Sequence, residues 1–123
     1  MAVSREDRML EMLRGLRSSR PAVKAAVLVS SDALPIASDI GSGMNEDAAS
    51  AMLSALIAAG ERAAGDLSLG KVERIYVRAD AGYIVVFQVN DFVTLACTID
   101  PGASMEETLR DVSACARRLS QVI

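Results

Sequence analysis

The sequence predicts an α/β (α+β) domain: a five-stranded antiparallel sheet with helices on both faces, in the order α-β-β-α-β-β-β-α. Three observations predict it. Apolar residues switch repeatedly between helical spacing and strand-like runs. Several of the links between successive strand runs are hairpin-short, which suits antiparallel neighbours. Three strand runs are largely apolar on both sides, so each needs cover on both faces.

The first helix begins at Ser4, an N-cap with Asp7 three residues on in a near capping box. Met9, Met12, Leu13 and Leu16 then recur at helical spacing, which suits a core element or a partner-binding element, the core being favoured. It ends near Arg17–Arg20, because Pro21 disfavours helical geometry at the residue before it. The first strand, about Val23–Ser30, is apolar on both faces. After a polar turn at Ser30-Ser31-Asp32 comes a short strand containing Pro35, which lacks a backbone donor and so belongs at a sheet edge.

Gly41-Ser42-Gly43 is a connecting turn, and Asn45 caps a second helix that runs to about Gly65, its C-cap. Glu46 and Asp47 in its first turn suit the helix dipole. Its polar residues Glu46, Asp47, Ser50, Ser54, Glu61 and Arg62 fill one arc. The remaining apolar face is too wide for a helix that covers one sheet only. One flank carries Leu53, Leu56 and Ile57; the other carries Ala48, Met52, Ala55, Ala59 and Ala63, small enough for a second helix to approach closely.

Lys71–Arg78 alternates, with Glu73, Ile75 and Val77 on one face and Val72, Arg74, Tyr76 and Arg78 on the other, as in an edge strand. Asp80-Ala81-Gly82 is a hairpin turn. Tyr83–Val89 is apolar on both faces and central; Asn90-Asp91 turns the chain, and Phe92–Ile99 is again largely apolar. Ser104 and Glu107 form a capping box for a last helix whose stripe is Met105, Leu109, Val112, Ala116 and Leu119. No repeat or linker divides residues 1–123, so the chain reads as one domain.

Composition excludes several function classes. A chain of 123 residues that is 51% hydrophobic builds one real core. A net charge of −3 gives no basic face for nucleic acid, and two Tyr, two Phe and no Trp give no stacking platform. No apolar run is long enough to insert in a membrane, and the charged start MAVSREDRML is no signal peptide. Cys97 and Cys115 frame no disulfide scaffold and read as buried free thiols in a reducing cytoplasm.

Catalytic chemistry is equally poor. The chain has no histidine, which removes the commonest general base, the Ser-His and Cys-His pairs and most zinc sites. Gly65–Lys71, GDLSLGK, matches the spacing of a phosphate loop, but Val72 stands where the magnesium-binding hydroxyl belongs. It also follows a helix and precedes a strand, the reverse of the required context. Gly41-Ser42-Gly43 has no Lys or Arg with which to hold an anion. The Arg74, Tyr76 and Arg78 face reads equally as a binding patch or as the solvated side of an edge strand. The chain is expected to be no enzyme and to need no cofactor or metal.

The strand-turn-strand VLVSSDALPIAS, the long second helix, the hairpin AGYIVVFQVN and the capped last helix together resemble the Roadblock/dynein light-chain family, and within it the MglB-like proteins of bacteria and archaea. The most specific part is Asp32-Ala33-Leu34-Pro35-Ile36-Ala37-Ser38, similar to the family's D-G-L-P-I-A-S run. The sequence departs at Ala33, where Gly is usual; since Ala adopts a positive φ only at a cost, a different turn type is expected there. High Ala and Arg usage hints at a GC-rich prokaryotic genome, as a matter of composition only.

The resemblance implies a profilin-like Roadblock fold, with the second helix on one face of the sheet and the first and third on the other. It also implies a homodimer in which third strands pair edge to edge and second helices pack together. Joined to the wide apolar face and the edge strand, this places Ala48, Met52, Ala55, Ala59, Ile75 and Val77 at the dimer interface. It further implies a non-enzymatic, cytoplasmic regulator or adaptor of a small Ras-like GTPase. The polar arc Glu46, Asp47, Ser50, Ser54, Glu61 and Arg62 is then the GTPase-facing candidate; no arginine finger stands out, and Arg62 and Arg74 are the residues left open for one. Two alternatives stand beside it. A scaffold subunit would never touch a GTPase. A small-ligand sensor would need a sizeable pocket, which a small, aromatic-poor core disfavours.

Overall fold

Residues 3–123 are described by the computed structural model. The elements are α1 (Arg5–Ser19), β1 (Val23–Ser30), β2 (Pro35–Asp39), α2 (Glu46–Asp66), β3 (Arg74–Ala79), β4 (Gly82–Asn90), β5 (Val93–Ile99) and α3 (Met105–Val122). The strands form one sheet in the order β2-β1-β5-β4-β3, and every neighbouring pair is antiparallel. Both edges fall where Pro35 and the alternation of Ile75 and Val77 put them.

The main core lies on one face. Leu28, Leu95, Cys97, Val85 and Phe87 of the sheet pack there with Met9, Leu13 and Leu16 of α1 and Val112, Cys115 and Leu119 of α3. The alternate residues Val27, Val29, Val86 and Ala96 point to the other face, beneath α2, and are also buried. A sheet apolar on both sides is thus covered on both sides, with α1 and α3 on one and α2 on the other. Two ion pairs join the first layer: Arg17 Nη1 meets Asp39 Oδ1 of β2 at 3.0 Å, and Arg20 Nε meets Asp111 Oδ2 of α3 at 2.7 Å.

The helix ends differ from the sequence expectation in two places. Ser4 does cap α1, its Oγ accepting from Asp7 N–H at 3.1 Å. Ser104 holds the N-cap position of α3 but makes no side-chain cap bond. The expected box does not form, and the Glu107 carboxylate instead accepts from Arg20 Nη1 at 3.4 Å. Gly65 is not the cap of α2. The helix continues to Asp66 and ends in a Schellman arrangement: Ser68 N–H donates to Gly65 O, and Leu69 N–H to Ala64 O. The left-handed residue is Ser68, φ 59°.

The turn between β1 and β2 also departs from expectation. Ala33 N–H donates to Ser30 O at 3.0 Å, and Ser30 N–H to Leu34 O at 2.9 Å. This closes a three-residue loop whose last member, Ala33, has φ 66°. The left-handed position that Gly would fill freely is therefore kept, and Ala33 carries the strain; the ladder closing around Ser30 over-determines it. At the opposite end Gly82, φ 152°, is obligatory: a Cβ there would stand 2.6 Å from Ile99 O.

Candidate functional site

Helix α2 spans the second face of the sheet. At its start Asn45 Oδ1 accepts from Ala48 N–H at 2.9 Å, and Ser38 of β2 donates to the Glu46 carboxylate. Toward its end Gly60 lies over Ile75 of β3. The helix therefore crosses the sheet obliquely from one edge strand toward the other. Its outer surface exposes Ala48, Met52, Ala55 and Ala59, with Met52 68% accessible. Beside it runs a half-open apolar trough of about 400 Å³, lined by Ala48, Met52, Leu53 and Leu56 of the helix and by Ile84 and Ala96 of the sheet. Sequence reasoning disfavoured a pocket of this size. It exists because the small side chains of α2 do not fill the space above the sheet.

Strand β3 is the neighbouring open edge. Gln88 N–H donates to Glu73 O at 3.0 Å, which puts Glu73 at a hydrogen-bonded position of the register, and alternation makes Ile75 and Val77 the next residues bonded to β4. The N–H and C=O groups of Arg74, Tyr76 and Arg78 point outward, toward the bare edge. Ile75 and Val77 share the α2 face with their partners Val86 and Ile84. Thus the six residues Ala48, Met52, Ala55, Ala59, Ile75 and Val77 are gathered on one side of the molecule, along an apolar helix surface and an unpaired strand.

The opposite face of β3 is occupied by its own packing. Arg74 lies over the Phe87 ring at 4.5 Å and reaches Ser113 Oγ at 3.4 Å; Tyr76 meets Phe87 edge-on at 6.3 Å; Arg78 lies over Tyr83 at 5.7 Å. All three side chains nevertheless remain exposed, with Tyr76 50% accessible.

The polar arc of α2 is not continuous. Glu46, Asp47, Glu61 and Arg62 are exposed, but Ser50 is fully buried and the Ser54 hydroxyl is buried too. Neither hydroxyl has a hydrogen-bond partner among the described residues. Serine counts as polar in a sequence pattern, yet it is small enough to sit under a helix close to a sheet. Ser54 faces a second, polar cleft of about 130 Å³ beneath the C-terminal half of α2, a feature no sequence signal announced.

The remaining motifs carry no site. Gly65–Lys71 spans the end of α2 and its Schellman turn, with no strand before it and no helix after it. Cys97 and Cys115 are free and buried. Burial raises both thiols above their ordinary value, so neither is poised as a nucleophile. Among the described residues no group of three ligating side chains is placed to hold a metal, and no helix is long and apolar enough to cross a membrane.

Comparison with known proteins accords with this geometry. The model of the Roadblock/LC7 domain matches residues 9–98. No curated protein sequence matches the chain. Among solved structures, Myxococcus xanthus MglB superposes with a TM-score of 0.91 at 13% identity, covering 99% of this chain and 92% of that one. A Roadblock/LC7 domain from Streptomyces avermitilis gives 0.84 at 20% identity, with 91% and 94% covered. Schizosaccharomyces pombe profilin gives 0.67 at 14%, with 93% and 98% covered. At these identities the likeness is one of fold, and that fold is profilin-like.

Proposed function

The chain belongs to the Roadblock/LC7 family, and from that premise we propose that it is a homodimeric regulator or adaptor of a small Ras-like GTPase. It works in the cytoplasm, through protein contacts and not by catalysis. The observation that carries this reading is the apolar trough beside the bare β3 edge and the exposed Ala48-Met52-Ala55-Ala59 surface. An unpaired strand next to an uncovered apolar helix is a liability in a lone molecule. A second copy resolves both: β3 pairs with β3, and each α2 settles against the other along the trough. Full burial of a side chain such as Met52 contributes about 1.5–3 kcal/mol per protomer. Ile75 and Val77 would lie at the seam.

The GTPase surface in this reading is the exposed part of the polar arc, Glu46, Asp47, Glu61 and Arg62; burial of Ser50 and of the Ser54 hydroxyl withdraws both. Regulation then consists of ordering the GTPase's own switch segments. Arg62 is the exposed arginine on that helix, whereas Arg74 is engaged by Phe87. The test is affinity capture from the native lysate with tagged protein, once with a non-hydrolysable GTP analogue and once with GDP. Enrichment of a small GTPase in one nucleotide state supports regulation and gives its direction. Recovery of larger proteins with no GTPase in either state supports a scaffold.

The trough favours one further reading. Its volume lies within the range of small-ligand pockets. A small molecule retained by a monomeric protein in native mass spectrometry would favour a sensor.

A further inference from the structure

One end of the molecule combines exposed apolar side chains with an acidic polar cleft. The turn between β1 and β2, the loop between α2 and β3, and the turn between β4 and β5 all meet there. Ser31 N–H donates to Phe92 O at 2.8 Å, and Lys71 Nζ lies 3.9 Å from Asp91 Oδ1, so the three segments are tied together. Each carries a large apolar residue that is mostly exposed: Leu34 at 61%, Leu67 at 70%, Leu69 at 74% and Phe92 at 69%. The loops at the other end of the sheet offer a single large exposed hydrophobic, Met44, and it lines the trough. Leu34 and Phe92 lie on turns that belong to neither α2 nor β3.

The cleft under α2 opens among them. It is lined by Ser54, Glu61, Gln88, Asp91 and Phe92, and Glu61, Gln88 and Asp91 also border the adjoining hollow beside Lys71. The buried Ser54 Oγ has no partner among the described residues. Asp32, Asp66 and Glu73 add to the negative charge around this end; Lys71 is the cation in its loops, and Arg62 lies one residue beyond Glu61. The other nearby cations, Arg74 and Arg117, line a groove on the opposite face of the sheet.

We propose that this end docks a basic amphipathic helix of another protein. An arginine from that helix enters the cleft between Glu61 and Asp91. Its apolar side contacts Phe92, Leu69 and Leu34. A guanidinium suits two carboxylates better than an ammonium does, because its fork of five donors satisfies several acceptors at once. The placement rests on neither the dimer nor the GTPase reading, although it shares Glu61 with the proposed GTPase surface.

The probe is a fluorescein-labelled 15-residue amphipathic peptide of leucine and arginine, with a twin in which every arginine is glutamate. Its binding is followed by anisotropy and by amide chemical shifts of the full chain. The expected shifts concentrate on Ser31, Ser54, Glu61, Gly70, Asp91 and Phe92. Glu61→Gln with Asp91→Asn is expected to weaken binding at least tenfold, the glutamate twin is expected not to bind, and Met52→Glu is expected to leave the affinity unchanged. Shifts centred on Ala48–Ala59, equal binding of the two peptides, an unweakened double variant, or no binding would each overturn the proposal. So would shifts of the same residues that depend on protein concentration alone, which would assign this end to a second copy.

Discussion

Gly60 of α2 sits directly over Ile75 of β3: a Cβ added at Gly60 would stand 3.0 Å from Ile75 Cδ1. This contact fixes how closely the C-terminal half of α2 approaches the edge strand. The missing side chain at Gly60 lets the helix reach β3, and the Ile75 tip fills the space it leaves.

Substitutions at Gly60 separate helix propensity from packing. Gly60→Ala gains about 1 kcal/mol of helix propensity but must displace the Ile75 tip, so a net change near zero is expected. Gly60→Val overpacks the contact and is expected to cost about 1–3 kcal/mol. In an Ile75→Val background, where Cδ1 is gone, Gly60→Ala is expected to become stabilising. Urea denaturation of the four variants measures this; additive effects of Gly60→Ala and Ile75→Val would show that the two residues do not share the space.

Ala33 and Ser68 are the two non-glycine residues with positive φ among the described residues. Ala33→Gly relieves a left-handed strain of about 1–2 kcal/mol and returns about 0.4–1 kcal/mol through the freer unfolded chain. A net gain of about 0.5–1 kcal/mol is expected, or roughly 3 °C in Tm. Ser68→Gly, at the end of α2, is expected to shift in the same direction. A lower Tm for Ala33→Gly would mean that the methyl group makes packing contacts that outweigh the strain.

The two thiols set an alkaline limit on stability. Desolvation raises Cys97 and Cys115 above the usual thiol value of 9.0 in the folded chain. Their contribution to stability is therefore complete below about pH 9 and is lost as pH rises toward the folded values, because the unfolded chain ionises first. For Cys97 alone the slope is about 1.4 kcal/mol per pH unit. Denaturation between pH 8 and 11 of the wild type and Cys97→Ala checks the sign, the variant being expected to show the flatter profile. At pH 8 a thiol-reactive dye is expected to label the protein only after denaturant is added.

Much of the fold was legible because its signals are local. Val23–Ser30 reads as a doubly covered strand from its apolar run alone, and Pro35 assigns its hairpin partner to an edge. Asn45 marks the start of α2 without help from tertiary structure. The misreadings arose where one residue type serves two environments. Ser50 and Ser54 were placed on a wet arc because a hydroxyl is polar, but their small volume lets α2 sit close to the sheet. Gly65 looked like a helix end, yet the left-handed residue is Ser68. Lys71–Glu73 alternates like the strand that follows, but Gly70, φ 85°, turns the chain there, and regular pairing begins only at Arg74. The interface candidates gathered on one side because helical spacing and strand alternation both encode faces. The trough and the polar cleft depend on how α2 tilts, which no spacing records.

Self-association through α2 and β3 is tested most directly by light scattering on purified protein, wild type beside Met52→Glu, over a range of concentrations. The wild type is expected at twice the 13.0 kDa chain mass, and Met52→Glu at the single-chain mass with an unchanged circular dichroism spectrum. A wild type that stays at the single-chain mass, or a Met52→Glu variant as dimeric as the wild type, would contradict an interface built on this helix.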